Sequence, residues 1–390
     1  MDPADLIAVI GGGPAGALAA EILARHGKKV VVFDEKLAWE KPCGGGITQK
    51  ALNQYEFLKD AAIERNMVGT CEFISPAGRR TTVPLNQPIA IFSRRVLNGM
   101  LLERARAAGA ELRCERVVNI AGSGGNFSVR TPSTSLQAAF VVIAAGARNP
   151  FRAQFYEPFA ASDLMATVGY YIPGSSSSLQ VRFVKGLDGY IWTFPRRDHY
   201  SAGICGRMTE VPTSELRRHL ERFLAEEKLP LDEARIYAHV LPAPRASTLR
   251  SIQPVGDGWA MIGDAAGYVD PITGEGLYYA LRSADLLAQA LLADRPESYR
   301  DLVERDFLPE LIEGAQYAER FYHGTFLGEH ILERIVQFAE ESERFRLLLC
   351  DLFSGAQGYI GLRARASRTL PRMLREFVIS VGGRYSFKSA

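Results

Sequence analysis

LIAVIGGGPAG, residues 6–16, decides the fold. Leu6 to Ile10 are apolar without a break, the pattern of a short strand buried on both faces of a parallel sheet. The glycines that follow have separate tasks. Gly11 permits a tight turn, Gly13 lets the backbone approach a pyrophosphate with Ala15 in the same loop, and Gly16 allows a helix to pack closely on the strand. Pro14 opens a helix expected to run to about His26, its N-terminal amides and positive dipole end turned toward the phosphates. A second buried strand, Lys29 to Phe33, ends at Asp34 and Glu35. Asp34 lies eighteen residues beyond Gly16, where a carboxylate can accept hydrogen bonds from an adenosine ribose. Strand, glycine loop, helix, strand and acid in that order predict a βαβ unit that holds NAD or FAD.

A second glycine-rich loop, GDAAGYVDPITGEG at 263–276, favours FAD. It follows Trp259 to Ile262, which reads as another buried strand. Gly263 and Asp264 then fall near a ribityl or pyrophosphate group, and the Gly274–Gly276 turn opens a helix whose N-terminus faces the pyrimidine edge of a flavin. Reduced flavin gathers negative charge on that edge, which a helix N-terminus stabilises. No second complete GxGxxG with its strand and acid follows, so NADPH, ferredoxin, a quinol or a separate reductase protein all stand as electron donors.

At 390 residues the chain has room for two or three structural units. Its 47% hydrophobic and 23% charged residues are ordinary for a soluble globular protein, and no apolar run is long enough to span a bilayer. A net charge of +2 gives no reason to expect nucleic acid. The five cysteines are odd in number with no CxxC pair, and the six histidines form no HExxH, so neither a disulfide framework nor a metal site is predicted. The chain enters its first strand at once, without a basic n-region or cleavage site, which reads as a cytoplasmic protein.

The fold class expected is α/β: a Rossmann-like three-layer FAD-binding domain with an inserted antiparallel-sheet substrate domain and a helical C-terminal region. The first part of the FAD domain is assigned to 1–160, with a helix over 93–108 and strands over 111–120, 127–131 and 140–145, the last ending in Gly146. Residues 161–244 read as the inserted sheet, covered by a helix over 213–227 with Leu216, Leu220, Phe223 and Leu224 inward. Residues 245–298 return to the FAD domain and 299–390 are helical.

Three further features bear on chemistry. KPCGGG at 41–46 puts Cys43, Gly44 and Gly45 either along a planar cofactor ring or in a flexible turn with an incidental cysteine. Arg94, at a helix start, is either a fork donor to the pyrophosphate or a solvated arginine. In GYIWTFP at 189–195, strand alternation sets Tyr190, Trp192 and Phe194 on one face, either as core or as the wall of an apolar pocket over a flavin.

Together these residues resemble the geranylgeranyl reductase family of flavoproteins, within the wider class shaped like para-hydroxybenzoate hydroxylase. GGGPAG at 11–16, KPCGGG at 41–46, YIWTFP at 190–195 with Gly203 after it, and GDAAGYVDPITGEG at 263–276 carry the resemblance over roughly residues 5–290. It implies a non-covalently held FAD that, once reduced, gives hydride to isolated double bonds of polyprenyl chains. Tyr190 and Trp192 match the family's substrate-pocket motif, and Cys43 matches a cysteine beside the flavin. Tyr190, Cys43 and an ordered water are the candidate proton donors. Two departures stand out: Gly203-Ile204-Cys205 where the family has GxG, and AAGARNP at 144–150 where related flavoproteins have an Asp-Gly pair.

The nearest alternative is an FAD monooxygenase acting on an apolar or aromatic substrate. A halogenase is disfavoured, because Tyr190 and Phe194 replace the first Trp and the Ile of a Trp-x-Trp-x-Ile-Pro signature. A further alternative is a non-catalytic flavin-bound sensor or electron carrier at a membrane. Residues 361–390 carry seven basic groups, Arg363, Arg365, Arg368, Arg372, Arg375, Arg384 and Lys388, against Glu376, or 7 − 1 = +6. Beside an apolar stripe of Leu370, Leu374, Phe377 and Val378, they form either a peripheral contact with the inner face of a membrane or a solvated face of a packed helix.

Overall fold

An unbroken apolar strand is stable only between other strands, and Leu6–Ile10 is flanked on both sides within a six-stranded sheet. In this computed structural model, which describes residues 5–60, 62–326, 328–355 and 358–368 together with Pro371 and Glu376, its parallel neighbours are Lys29–Phe33 and Phe140–Ile143. Glu111–Arg113 extends one side in parallel, Trp259–Met261 extends the other, and Val255–Gly256 closes that edge antiparallel. Helices Arg94–Ala107 and Leu277–Leu292 both pack against Pro14–Arg25. Asn119–Ser123, Asn126–Arg130 and Ser135–Ala138 form a three-stranded antiparallel sheet that adds Phe127, Val129 and Ala138 to the same core. Helices, parallel sheet and small antiparallel sheet are the three layers of a Rossmann-like domain.

A second sheet of eight strands runs in the order Arg235–Pro242, Leu164–Pro173, His199–Arg207, Tyr190–Pro195, Ser178–Phe183, Asn66–Ile74, Arg80–Ile91 and Gly46–Ile47. Its pairings are antiparallel except Ser178–Phe183 with Asn66–Ile74. Helix Thr213–Glu226 covers one face, burying Leu216, Leu220, Phe223 and Leu224 against Val168, Ile191 and Ile204. The helical C-terminal region, including Leu308–His323, Ile331–Glu341 and Glu343–Phe353, packs Leu332, Val336 and Leu349 onto the other side of the Asn66–Ile91 part. Where the chain re-enters the first domain, the Asp163 carboxylate accepts from the Arg245 amide at 2.9 Å and from Thr248 Oγ1 at 3.0 Å.

This sheet is wider than the 161–244 insertion expected from sequence, since three of its strands come from 46–91. Pro84 and Pro88 interrupt the pattern of Arg80–Ile91, and its place is set by pairing with Asn66–Ile74 rather than by its own alternation. The single strand expected over 111–120 is two: Glu111–Arg113 joins the parallel sheet, and Asn119–Ser123 belongs to the three-stranded one, with the polar 114–116 between them. The expected basic helix is only partly visible. Arg363, Arg365 and Arg368 are described, whereas Arg372, Arg375, Arg384, Lys388 and the stripe Leu370, Leu374, Phe377 and Val378 lie outside the described residues. Among the described residues, no helix is long and apolar enough to cross a membrane.

The closest backbone contact in the first domain is at Gly16, where a Cβ would stand 1.9 Å from the Gly11 carbonyl oxygen. Gly16→Ala therefore has to push the first helix off the first strand. Overpacking of this kind costs about 1–3 kcal/mol, and the urea midpoint of the cofactor-free protein is expected to fall accordingly. An unchanged midpoint would mean that the helix and strand are not in this contact.

Candidate functional site

The strand ends, the two glycine loops and one face of the large sheet converge on a cavity with about 1570 Å³ of empty space, partly open to solvent. One end is polar, lined by Gly13, Arg94, Gly146, Asp264 and Gly276; the other is apolar, lined by Cys71, Leu85, Ile89, Leu179, Val181 and Phe353.

At the polar end the first loop has the shape its sequence promised. Gly11 has φ +112°, and a Cβ there would lie 2.4 Å from the Ala144 carbonyl oxygen. Gly13 has no such neighbour: nothing lies within 4 Å of where its Cβ would be, and the residue lines the cavity beside Ala15. Asp34 serves the loop itself. Its Oδ2 accepts from the Gly12 amide and its Oδ1 from the amides of Lys36 and Leu37, all at 2.8 Å. Glu35 beside it is exposed, and neither acid lines the cavity.

Arg94 is not the solvated alternative. Its side chain is only 3% exposed, Nη2 makes a long 3.4 Å bond to Asn98 Oδ1, and Nε is buried without a partner. A buried guanidinium that lines a cavity with unmet donors fits an anionic ligand there. Two residues not singled out from sequence join it. Thr167 Oγ1 and His239 Nε2 are buried without partners, both residues line the cavity, and they are direct cross-strand neighbours. Burial, then the nearby Lys41, pushes His239 down to about 3, so its ring is neutral at ordinary pH. Strand pairing is the only thing that unites them, seventy-two residues apart (239 − 167). Asp264 lies 3.4 Å from Lys41 Nζ, Gly146 has φ +77°, and Gly263 has φ +58°.

KPCGGG is no flexible turn. The Cys43 carbonyl accepts from Arg196 Nη2 and Ser201 Oγ, each at 2.8 Å, while Cys43 Sγ accepts from the Gly45 amide at 3.3 Å. A Cβ on Gly44 would stand 2.6 Å from the Phe194 ring, and one on Gly45, at φ +83°, 2.2 Å from the Phe92 carbonyl oxygen. These glycines are required by protein groups packed upon them, with the segment still lining the cavity.

Tyr190, Trp192 and Phe194 face the cavity while Ile191 packs under the covering helix. The Trp192 ring lies over Gly203, whose Cβ would fall 2.3 Å from it, and Tyr237 lies likewise over Gly169 at 2.2 Å. The Tyr190 hydroxyl donates to the Thr273 carbonyl, and burial raises its pKa well above the ordinary value. Cys205, where the family pattern has a second glycine, turns its thiol to the cavity and is pushed up to about 11 by burial. In the second loop, Gly274 and Gly276 bracket Glu275 at the start of helix Leu277–Leu292, and Glu275 Oε1 accepts from the Tyr278 amide at 2.7 Å.

The family model for pyridine nucleotide-disulphide oxidoreductases matches residues 5–155. A digeranylgeranylglycerophospholipid reductase of Methanoculleus marisnigri is 31% identical over 73% of this chain and 75% of its own length. A chloroplastic geranylgeranyl diphosphate reductase of Oryza sativa subsp. japonica is 28% identical over 84% of this chain and 74% of its own. Among solved structures, a geranylgeranyl bacteriochlorophyll reductase-like protein from Thermoplasma acidophilum superposes with TM-score 0.75 at 20% identity, covering 93% of this chain and 98% of that one.

Gly13 and Gly16 separate binding from folding. Gly13→Val adds its side chain to open cavity space, so the variant is expected to keep the urea midpoint of the cofactor-free protein and lose FAD by equilibrium dialysis. Retention of FAD at wild-type affinity would remove this loop from the site.

Proposed function

From the membership of this chain in the geranylgeranyl reductase family of FAD-dependent oxidoreductases, we propose that it reduces carbon–carbon double bonds of a polyprenyl substrate of geranylgeranyl type. The observation that carries this reading is one cavity whose lining has an anion-seeking end and an apolar end.

The residues fit FAD on the structure's own terms: open space at Gly13, unmet donors on buried Arg94, and a helix N-terminus at Gly276. Gly11, Gly13, Ala15 and Gly16 would form the phosphate cradle. Arg94, Gly146, Gly263 and Asp264 would flank the phosphates and ribityl chain, with Cys43, Gly44, Gly45, Gly274 and Gly276 nearer the ring. Asp34 would act through the loop it holds, with Glu35 the freer carboxylate for a ribose. Reduced FAD supplies hydride when bound.

The remaining work falls to side chains of this protein. An isolated alkene has no carbonyl to polarise, so positioning and exclusion of water must do what an oxyanion hole does elsewhere. Trp192 and Phe194 give the chain a rigid aromatic wall, and Tyr190 is held in place by its bond to the Thr273 carbonyl. Arg196 and Ser201 hold Cys43 at the cavity. The electron donor, NADPH or a protein, is a separate choice that these residues do not make.

Reduced holoenzyme mixed with a twenty-carbon prenyl diphosphate under nitrogen is expected to reoxidise its flavin and yield saturated product. A requirement for dioxygen would instead identify a monooxygenase, and inertness in both conditions a carrier or sensor. Each buried methylene contributes about 0.8 kcal/mol, or up to roughly 4 kcal/mol gross per isoprene unit, so affinity is expected to rise steeply with chain length. Trp192→Ala is expected to raise KM for the long substrate while FAD stays bound. Equal kcat/KM for five- and twenty-carbon substrates would sink the apolar-channel reading.

A further inference from the structure

Saturating a double bond forms two C–H bonds. One uses a hydride; the other needs a proton, delivered into a space built to exclude water. Tyr190 is a poor source, because its hydroxyl is committed to the Thr273 carbonyl and burial raises its pKa.

A second cavity, with about 480 Å³ of empty space, adjoins the first and shares Thr48, Thr273, Glu275 and Phe353 with it. Its own walls are polar, including Lys50, Asp270, Glu310 and Tyr359. Of the four shared residues, Glu275 alone has a side chain that titrates in water. We infer that Glu275 carries protons from this polar cavity into the main one, where they complete reduction of the double bond; the inference rests on the reductase reading above.

The surroundings set Glu275 apart from its acidic neighbour. Asp270 is fixed by three donors, the amides of Ile272 at 2.9 Å and Thr273 at 2.8 Å and the Tyr359 hydroxyl at 2.8 Å. Glu275 accepts from the Tyr278 amide at 2.7 Å and also from the Leu277 amide, and it lines both cavities. Burial raises Asp270 as well, but three donors oppose that rise, whereas Glu275 alone of the two lines both cavities and can pass a proton between them. Burial first, then nearby Asp270, pushes Glu275 up to about 7, while Lys50 opposes the rise. Lys50 sits 4.1 Å over the Tyr278 ring and is itself lowered by burial; Tyr279, Glu310 and Tyr359 complete the titratable groups around this wall.

The balance of the step is simple. The Glu275 O–H bond breaks, its proton is bound by the alkene's π electron pair, and the hydride brings the pair for the other C–H bond. The carboxylate left behind regains a proton from the second cavity. A carrier works from its protonated form, so turnover is present below the carrier's pKa and is lost as pH rises through it.

The experiment uses FAD-loaded, reduced enzyme with a twenty-carbon prenyl substrate under nitrogen, followed by single-turnover flavin reoxidation across pH. Wild type is expected to slow as pH rises through about 7. Glu275→Gln is expected to lose roughly a hundredfold in rate together with that inflection. Infrared spectra of the oxidised holoenzyme without substrate are expected to show a protonated carboxyl that titrates in the same range and is missing in Glu275→Gln. Lys50→Met, which removes a charge that favours the carboxylate, is expected to shift the wild-type inflection to higher pH and keeps the test open if Glu275→Gln does not load FAD. Wild-type rate and pH profile in Glu275→Gln, or an unmoved inflection in Lys50→Met, overturns the carrier. Wild-type enzyme that shows the titrating carboxyl but never reduces the prenyl chain defeats the reductase reading instead, a distinct result.

Discussion

The ion pair between fully buried Arg196 and half-buried Glu40 is the interaction on which the cavity depends. Arg196, 1% exposed, follows the strand Tyr190–Pro195 of the large sheet, and Glu40 sits where the chain leaves the cofactor domain. The same guanidinium donates to the Cys43 carbonyl, and Glu40 also accepts from the Arg94 amide at 2.8 Å and from the Ser93 hydroxyl. One pair therefore fixes the large sheet, the segment passing between the domains and the start of the helix that carries Arg94. Burial works against the charge on Glu40, yet Arg196 and these hydrogen bonds hold its pKa below the ordinary value. Such a pair adds little stability over apolar packing, but losing Glu40 strands the buried Arg196 charge, at a cost of up to about 3–5 kcal/mol. Its contribution is to make one arrangement of the two sheets much better than its neighbours.

Given that arrangement, small residues decide what reaches the cavity. Along one row of the sheet, Trp192, Gly203, Gly169 and Tyr237 are successive cross-strand neighbours. The two glycines let two aromatic rings lie flat on the sheet instead of standing up from it. In the adjacent row His239, Thr167 and Cys205 pair in the same way, so polar and apolar surfaces run side by side under one ceiling. The row that lacks glycine holds Cys205, whose raised thiol pKa keeps it neutral and apolar in character. The departure from GxG thus narrows the pocket without adding charge.

Local chemistry explains what was legible in the sequence. The first loop could be read because much of it answers to near neighbours, Gly16 to the Gly11 carbonyl and Asp34 to the Gly12 amide, although the Gly11 turn also fits against the distant Ala144. The alternation of Tyr190, Trp192 and Phe194 was readable for the same reason. Spacing puts Asp34 at the strand end, but its bonds to three loop amides depend on side-chain direction, which spacing does not carry. Strands 66–74 and 80–91 were hidden because their register is fixed by long-range pairing, and two prolines mask the second. Thr167, His239 and Arg196 acquire meaning only when strands distant in sequence are laid together, and Glu275 only when two cavities are seen to share a wall.

The charges at the two ends of the site argue for the same division of labour. At the polar end Lys41 and Arg94 face Asp264, while burial keeps His239 neutral, leaving two cations to one carboxylate. In a low-dielectric cavity that imbalance is costly unless a negative group fills it, and a phosphate-bearing cofactor does so. Around the second cavity the imbalance is reversed: Asp270, Glu275 and Glu310 share one ammonium, that of Lys50. No diphosphate is needed there, and a proton on one carboxyl relieves the repulsion instead. The helix N-terminus at Gly276 lies between the two regions and favours negative charge on whichever side presents it. A neutral Glu275 leaves that terminus to the occupant of the main cavity, whereas an ionised one competes for it. Protonation at this wall and negative charge in the main cavity therefore favour each other, which links the state of the carboxyl to the state of the site without any movement of the fold.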